Sequence, residues 1–300
     1  MAGPGLCVDG RISMNINRHG NDPRNRGLRN YGVLLLPAAV VLAVVFFYPL
    51  GLMFVQSLHQ GDFGTEETAF TVSNYTQFIS DPYYRRMAFN SISLGVLVSA
   101  MCLVLSYPLA YAIARAHPWQ KVVLTVITLV PLLTSVVVRT LGWMILLRNN
   151  GLVTSVLDQL GIHAQLLYSF PGVLIALVEV LMPFMVLSLS ASISSINPSI
   201  EDAAGSLGAS RLRTFKDVVV PMSLPGAAAG SLLVFVLAVS AFATPDLIGG
   251  RTVKLVPVLV YEQATIVFNW PFAGAAAFIL LALSLTAVSI QARVLDRQGS

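Results

Sequence analysis

Long apolar runs dominate this 300-residue chain and decide what it can fold into. Each run holds roughly 20 or more residues, the length that an α-helix needs to cross about 30 Å of hydrocarbon. A helix satisfies its own backbone hydrogen bonds in lipid, so such runs predict transmembrane helices. We place six of them, with approximate bounds, at Tyr31–Val55, Ala88–Ala114, Val122–Leu147, Phe170–Ile196, Leu224–Thr244 and Phe272–Val294.

Composition leads to the same class of protein. Hydrophobic residues make up 56% of the chain and charged residues only 11%, whereas a soluble domain carries about 25% charged residues. The sequence therefore predicts an all-α polytopic membrane protein with six transmembrane helices. Residues 31–295 form its membrane domain. Residues 1–30 are expected to be a disordered basic tail and residues 296–300 a short C-terminal tail.

Positive charge divides unevenly between the two sides of these six spans. The N-terminal tail, the loops between spans two and three and spans four and five, and the C-terminus carry twelve Lys and Arg residues. The other side carries five, namely Arg85, Arg86, Arg148, Arg251 and Lys254. The positive-inside rule therefore predicts that both termini are cytoplasmic. The net charge of +4 reflects this topology, and we expect no nucleic-acid binding.

Several familiar chemistries are missing from the sequence. It contains no G-x-x-x-x-G-K-[ST] phosphate loop and no G-x-S-x-G nucleophile motif. The four histidines lack the spacing of metal ligands, and the two cysteines suggest neither a disulfide nor a metal site. We therefore expect no enzymatic activity, no cofactor and no metal, and any ATP hydrolysis must reside in another chain.

A polar insert separates the fourth and fifth apolar runs, and we call residues 197–221 the elbow. Asn197–Pro198 is a favourable helix start, with a capping residue ahead of a proline at the first helical position. Gly208 permits a tight turn, and a second short helix can run from about Arg211 to Val219 until Pro221 ends it. The pattern predicts a helix–turn–helix on the cytoplasmic membrane surface, where a soluble partner can dock.

The elbow resembles the cytoplasmic E-A-A-x3-G-x9-I-x-L-P loop of binding-protein-dependent ABC transporter permeases. The matching residues are Asp202, Ala203 and Ala204 for E-A-A, Gly208 for the glycine, Val218 and Val220 for the two aliphatic positions, and Pro221 for the proline. Asp replaces the usual Glu and has a shorter reach, so the neighbouring Glu201 can substitute for it in an ion pair. The alternative interpretation is an ordinary surface elbow.

Other segments resemble the polyamine-type permeases of the same family, and the resemblance covers roughly residues 30–295. The segments that carry it are Pro131–Ser135, Val138–Trp143, Asn150–Gly151, Phe242–Gly250 and Asn269–Pro271. The resemblance implies a type I ABC importer permease, similar to the first permease of a spermidine/putrescine-type importer. Relatives with the same architecture import iron(III), thiamine, sulfate or opines, so these solutes remain alternatives.

The resemblance also implies partners and a mechanism. Two separate ATPase subunits would engage the elbow, a paralogous second permease would complete the pore, and an external solute-binding protein would deliver the cargo for alternating access across a bacterial inner membrane.

The aromatic outer segment Gln56–Met87 is either a docking surface for that protein or a solvated loop with an interfacial helix. A self-sufficient secondary transporter or channel is the main alternative of another class. The predicted coupling residues are Glu201, Asp202, Ala203, Ala204, Gly208 and Pro221.

Ionisable residues within spans are the candidates for the substrate path. Glu179 lies about ten residues into the fourth run, hence roughly 15 Å deep and near the midplane. A charge at that depth is costly unless it faces a polar cavity or a partner. We predict that Glu179 faces the path and favours a cationic solute, with a purely structural hydrogen bond as the alternative.

Arg139 is expected at a different depth from Glu179. It follows Lys121 by 18 residues, or about 27 Å along a straight helix, which would place it near the outer surface, where it can snorkel. A structural or gating role is favoured there over direct substrate contact. The predicted path is completed by Thr134, Trp143 and Asp246.

Two glycines in the fifth run form a small-x-x-x-small pattern that suits close helix contact. Gly226 and Gly230 can serve either packing within the chain or a subunit interface. Pro108, Pro131 and Pro183 are expected to kink their spans, because each removes a backbone donor.

Overall fold

The computed structural model describes residues 23–59 and 70–296, which fold into an all-α structure. The helices are α1 (Pro23–Ser57), α2 (Ser73–Ser80), α3 (Pro82–Arg115), α4 (Pro118–Leu129), α5 (Val136–Leu147), α6 (Leu152–Gln159), α7 (Phe170–Ser194), α8 (Pro198–Ser206), α9 (Arg211–Thr214), α10 (Val220–Met222), α11 (Leu224–Ser240), α12 (Val256–Glu262) and α13 (Trp270–Asp296). A 3₁₀ turn follows α4 at Val130–Leu133, and π-helical turns occupy Phe215–Val219, Pro245–Gly249 and Gln263–Val267.

The first helix overlaps the predicted N-terminal tail. Residues 23–30 are helical, and a proline at the first position of α1 suits a helix start because its fixed φ is already helical. Residues 1–22, 60–69 and 297–300 lie outside the described part of the chain, and with them most of both predicted tails.

Membrane spans account for most of the described helices. Four are long and apolar enough to cross a bilayer, at Val40–Ser57, Pro82–Arg115, Phe170–Ser194 and Trp270–Arg293. Two further spans are helix pairs with a sharp bend, Pro118–Leu133 with Val136–Gln159 at 93°, and Arg211–Met222 with Leu224–Ser240 at 66°. Counting each bent pair as one span gives six, the predicted number.

The third span, predicted over Val122–Leu147 with a kink at Pro131, is broken there by a 93° bend. Pro131 has no backbone N–H to continue the α-helical ladder, and the chain tightens into the 3₁₀ turn Val130–Leu133. Thr134 is then extended, and its hydroxyl donates to the carbonyl of Pro131 at 2.7 Å. A new helix, α5, begins at Val136 in another direction.

The main core lies where α3, α7 and α11 pack together. Gly226 and Gly230 of α11 face α7 so closely that an added Cβ would lie 2.2 Å from Ser192 Cβ and 2.7 Å from Met185 Sδ, respectively. The Ser188 hydroxyl donates to the Gly226 carbonyl at 2.8 Å. The small-residue pattern therefore serves packing within the chain, as small residues do between membrane helices.

A smaller core joins α2 and the start of α3 to α12 and α13. Phe78 of α2 is buried and stacks on Tyr84, with ring centroids 5.5 Å apart. The backbone N–H of Val256 donates to the buried Ser91 hydroxyl at 3.0 Å. Part of the aromatic outer segment therefore packs against the chain itself.

Contacts at the ends of α7 show which loops lie together. The Lys121 ammonium at the start of α4 donates to the Ser194 hydroxyl at 3.1 Å, at the C-terminal end of α7. Near the other end of α7, the Tyr168 N–H donates to the Ile248 carbonyl at 2.9 Å. The loop between α3 and α4 and the elbow after α7, both predicted to be cytoplasmic, therefore lie at the same end of the helix core.

Candidate functional site: the elbow and a charged cluster within the spans

The first half of the elbow is helix α8. Asn197 caps its N-terminus by accepting a hydrogen bond from the backbone two residues on, at 3.1 Å. The helix ends at Ser206, and Gly208, two residues on, has a left-handed φ of 87°. The Gly208 N–H donates to the Gly205 carbonyl at 2.9 Å, and the Ala209 N–H to the Ala204 carbonyl at 3.1 Å. These two bonds form a Schellman motif, and they explain why the turn uses a glycine.

The second half runs further than the sequence predicts. The helical run Arg211–Met222 continues through Pro221, which does not end it. A π-helical turn at Phe215–Val219 already interrupts the α-helical ladder, so Pro221 stands at the start of α10, where a missing N–H is tolerated. The chain bends only at Ser223, before α11.

Glu201 fixes the elbow to the C-terminal end of α3. Arg115 Nε donates to Glu201 Oε1 at 2.8 Å, Arg115 Nη2 also donates to that oxygen, and the Tyr111 hydroxyl donates to Oε2 at 2.8 Å. The same guanidinium donates through Nη1 and Nη2 to the Ile196 carbonyl at 3.3 Å. The Arg115 and Glu201 side chains are only 19% and 15% exposed. This is a charge-assisted, multiply hydrogen-bonded pair.

A stripe of side chains at four-residue spacing on α3 makes this attachment. Tyr107, Tyr111 and Arg115 share one helix face. Both tyrosine rings meet Phe215 edge-on, at 5.9 and 5.4 Å between centroids, and the Tyr107 hydroxyl lies 3.0 Å from Ser223 Oγ. This stripe was not predicted, although polar-tipped side chains that recur every four residues at the end of an apolar run are a usable signal.

The other face of the elbow is open. Asp202 is exposed, and within the described ranges its carboxylate has no hydrogen bond or ion pair. Leu207 and Leu212, on either side of Gly208, are 90% and 78% exposed. A groove of about 600 Å³ lies between the elbow and α3, and its lining includes Asp202 and Leu212 as well as Tyr111 of α3. The elbow thus has one face fixed to α3 and one available to a partner.

A second charged cluster lies within the spans, and we call Arg139, Trp143 and Glu179 the mid-span cluster. Arg139 and Trp143 stand one turn apart on α5 and both reach Glu179 of α7. Trp143 Nε1 donates to Glu179 Oε2 at 3.2 Å. Arg139 Nη1 lies 3.8 Å from Glu179 Oε1, which is ion-pair distance but too long for a hydrogen bond. The Arg139 side chain is 10% exposed and that of Glu179 is 33% exposed.

Residues 103–298 match the family described as binding-protein-dependent transport system inner membrane component. The chain is 30% identical over 271 residues to the spermidine/putrescine transport system permease protein PotB of Haemophilus influenzae, covering 88% of this chain and 91% of the relative. It is 33% identical over 245 residues to PotB of Escherichia coli K12, covering 80% and 88%. This chain belongs to that permease family.

A solved structure supports the fold. The crystal structure of a bacterial alginate ABC transporter in complex with alginate pentasaccharide-bound periplasmic protein aligns with a TM-score of 0.72 and 18% identity, over 92% of this chain and 96% of that chain. The permease is therefore a multi-pass inner-membrane transport subunit with the type I ABC importer fold, and the ATPase is a separate subunit. Among the residues that the structure describes, no group of three His, Cys, Asp or Glu side chains could hold a metal ion.

The position expected for Arg139 in the permease is wrong. The expected height of about 27 Å assumed a straight helix from Lys121, and the 93° break between these residues invalidates it. Arg139 instead lies beside Glu179, which is the tenth residue of the 25-residue helix α7. A side chain buried against that carboxylate does not snorkel to an outer surface.

Two other predicted path residues stay apart from the mid-span cluster. Thr134 is exposed at the break, with its hydroxyl turned back to its own turn. Asp246 lies in the π-helical turn after α11 and is partly buried, and its carboxylate has no hydrogen bond or ion pair with the described residues. The structure also shows a contact that the sequence did not suggest: Thr140 Oγ1 and Thr244 Oγ1 are 3.1 Å apart, and both residues are buried.

Proposed function

We propose that this permease carries a polyamine of the spermidine and putrescine class across the inner membrane in an ATP-driven importer. Two spermidine/putrescine transport permeases are 30% and 33% identical to it over at least 80% of the chain. Iron(III), thiamine, opines and sulfate remain the competing cargoes of the wider family, and the experiment below includes them.

The position of Glu179 is the observation that supports a cationic substrate. It is an acidic side chain about 14 Å along a membrane-spanning helix, and one third of its surface is exposed. Ionisable groups at such depth are costly and generally face a water-filled path or a partner charge. A carboxylate on the path attracts an ammonium group and repels sulfate. The arrangement therefore favours a cationic solute.

The elbow is the proposed docking site for the ATPase. Its fixed face transmits displacement to α3 through Arg115 and Tyr111, and its open face presents Asp202, Leu207 and Leu212. Exposed leucines beside a groove are typical of a surface that a protein partner covers. The remaining predicted coupling residues, Ala203, Ala204, Gly208 and Pro221, shape α8, its turn and α10.

The proposed assembly contains this permease, a paralogous second permease, two ATPase subunits on the cytoplasmic side and an external binding protein. Both termini of the chain are cytoplasmic in this scheme, because twelve of its basic residues lie in the tails and loops assigned to that side, against five in the others. ATP-driven closure of the ATPases moves the elbows, and the path opens alternately to each side.

Uptake of labelled spermidine into proteoliposomes that contain the whole transporter and its binding protein tests the substrate. Glu179→Gln should lower uptake at least about tenfold, because a charged hydrogen bond to the amine is lost. Glu262→Gln is a matched control, since Glu262 is 32% exposed and also ion-paired, to Lys254. Wild-type uptake of sulfate, thiamine, an opine or iron(III) in place of spermidine would refute the polyamine assignment.

Co-purification of the ATPase tests the docking surface. Leu207→Ser combined with Leu212→Ser should reduce the bound ATPase about fivefold or more, as loss of an interface hot spot does. Leu160→Ser is the control, because Leu160 is 70% exposed but precedes α7 rather than following it. Equal ATPase recovery from the double variant and this control would exclude the elbow as the docking site.

A further inference from the structure

The Arg139 guanidinium is buried without the hydrogen bonds that such a group requires. Its Nε and Nη1 atoms are inaccessible and have no hydrogen-bond partner among the described residues. Arginine carries five N–H donors and stays charged in proteins, and a buried charge is normally both paired and hydrogen-bonded. Among the described residues, Glu179 is the one acid within ion-pair distance of Arg139, and Nη1 lies 3.8 Å from Oε1.

This ion pair is therefore only partly formed. An engaged guanidinium–carboxylate pair has N–O distances of about 2.7–2.9 Å, so about 1 Å separates the observed geometry from a closed pair. The other carboxylate oxygen is held by Trp143 Nε1 at 3.2 Å, which fixes the orientation of Glu179. Because the Glu179 side chain is still 33% exposed, a second cation can approach it from the open side.

The position of Arg139 in its helix points to the same conclusion. It is the fourth residue of α5, whose first turn contains no acidic residue. A positive charge near a helix N-terminus is unfavourable because the helix dipole is positive there. Arg139 thus does not stabilise its own helix. It also lies directly after the 93° break in the third span.

We infer that Arg139 is a tethered substitute for the cationic substrate. In the empty permease its guanidinium neutralises Glu179, and the ammonium group of an arriving amine displaces it from that carboxylate. When the amine leaves, Arg139 returns and opposes rebinding. The inference rests on the proposed function, since it requires a cationic cargo, and it adds that the permease carries its own competitor for that cargo.

Direct binding of labelled spermidine to the purified permease–ATPase complex, without the external binding protein, tests the displacement. Removing the competitor in Arg139→Gln should tighten binding about tenfold, within the usual range of coupling between two ligands. Arg139→Lys keeps a cation and should bind within about threefold of wild type. Glu179→Gln should abolish binding, and the double variant Arg139→Gln/Glu179→Gln should be as weak as Glu179→Gln alone.

A second measurement separates competition from a structural role. Free guanidinium ion should compete with spermidine in Arg139→Gln and should have far less effect on wild type, whose site already holds its own guanidinium. If Arg139→Gln does not yield a folded complex, Arg139→Met carries the same predictions with a side chain of similar length. Unchanged or weaker spermidine binding in the folded variant would overturn the inference and make Arg139 a scaffold.

Parallel uptake by the wild-type transporter distinguishes the two proposals. If it imports spermidine but Arg139→Gln binds no tighter, only the displacement is wrong. If the wild type imports no amine, the proposed substrate class is wrong, and the proposed displacement is then wrong as well.

Discussion

Two Arg–Glu pairs in this permease have the same chemistry and opposite geometry. At the elbow, Arg115 and Glu201 share several hydrogen bonds, and Tyr111 and the Ile196 carbonyl complete the network. Within the spans, Arg139 and Glu179 stand 3.8 Å apart with no hydrogen bond between them. Arg139 is more buried than Arg115, at 10% against 19% exposed, so exposure of the arginine does not explain the difference.

The comparison shows how hydrogen bonding separates a fixed contact from an exchangeable one. A buried pair offsets its desolvation only when the geometry is good and the remaining donors and acceptors are satisfied. The elbow pair meets that condition and can transmit displacement between α8 and α3 without separating. The mid-span pair does not meet it, so a third charged group can replace one partner at a small cost.

Breaking the elbow pair should have the largest effect on stability. Arg115→Met leaves Glu201 partly buried without its counter-charge and should lower the free energy of unfolding by about 2–3 kcal/mol, somewhat less than for a fully buried pair. Thermal unfolding of the purified complex measures this. Arg213→Met is the control, because Arg213 is 75% exposed. Adding Glu201→Gln to Arg115→Met should restore part of the loss, and strict additivity of the two substitutions would argue against a coupled pair.

Loss of the hydrogen bond that orients Glu179 should have the second-largest effect on stability. Trp143→Phe keeps the aromatic ring but removes the Nε1 donor, and loss of a hydrogen bond to a charged group costs about 1.5 kcal/mol. The same unfolding assay applies, with Trp119→Phe as the control because Trp119 is 64% exposed. Equal stability of the two variants would mean that the indole does not hold the carboxylate.

The turn of the elbow gives a smaller and purely conformational effect. Gly208→Ala should cost about 1 kcal/mol, since an L-residue is disfavoured at a left-handed φ. Gly205→Ala is a close control, because an added Cβ would meet no neighbouring side chain or loop within 4 Å at either glycine. Of the two, only Gly208 has a positive φ, 87°. The control should be neutral or stabilising, because alanine favours a helix. A loss at Gly205 as large as at Gly208 would contradict this explanation.

The smallest effect is expected from a third pair, which is exposed. Arg213 Nε and Asp217 Oδ2 are 3.3 Å apart, with side chains 75% and 55% exposed. Asp217→Asn should change the free energy of unfolding by no more than about 0.5 kcal/mol, because water and salt screen such pairs. A larger loss would show that the elbow relies on this pair as well.

The sequence predicted those features that depend on local chemistry. Run length indicates the spans, and Asn197, Pro198 and Gly208 specify where α8 begins and ends, because capping and φ preferences act over a few residues. The angle at Pro131 was not predictable, since a proline within an apolar run is compatible with a mild kink as well as a break. The contacts of Arg139 with Glu179 and of Arg115 with Glu201 join residues far apart in the chain, so only the packing of α3, α5, α7 and α8 reveals them.

Spermidine transported per ATP hydrolysed is the most direct test of the claim that the two pairs have different roles. It is measured with the reconstituted transporter and its loaded binding protein. Glu179→Gln should keep stimulated ATPase activity but lose transport, so the ratio falls at least about tenfold. Glu201→Gln should lower transport and ATPase activity together and leave the ratio near the wild-type value. A wild-type ratio in Glu179→Gln, or a collapsed ratio in Glu201→Gln, would contradict the account.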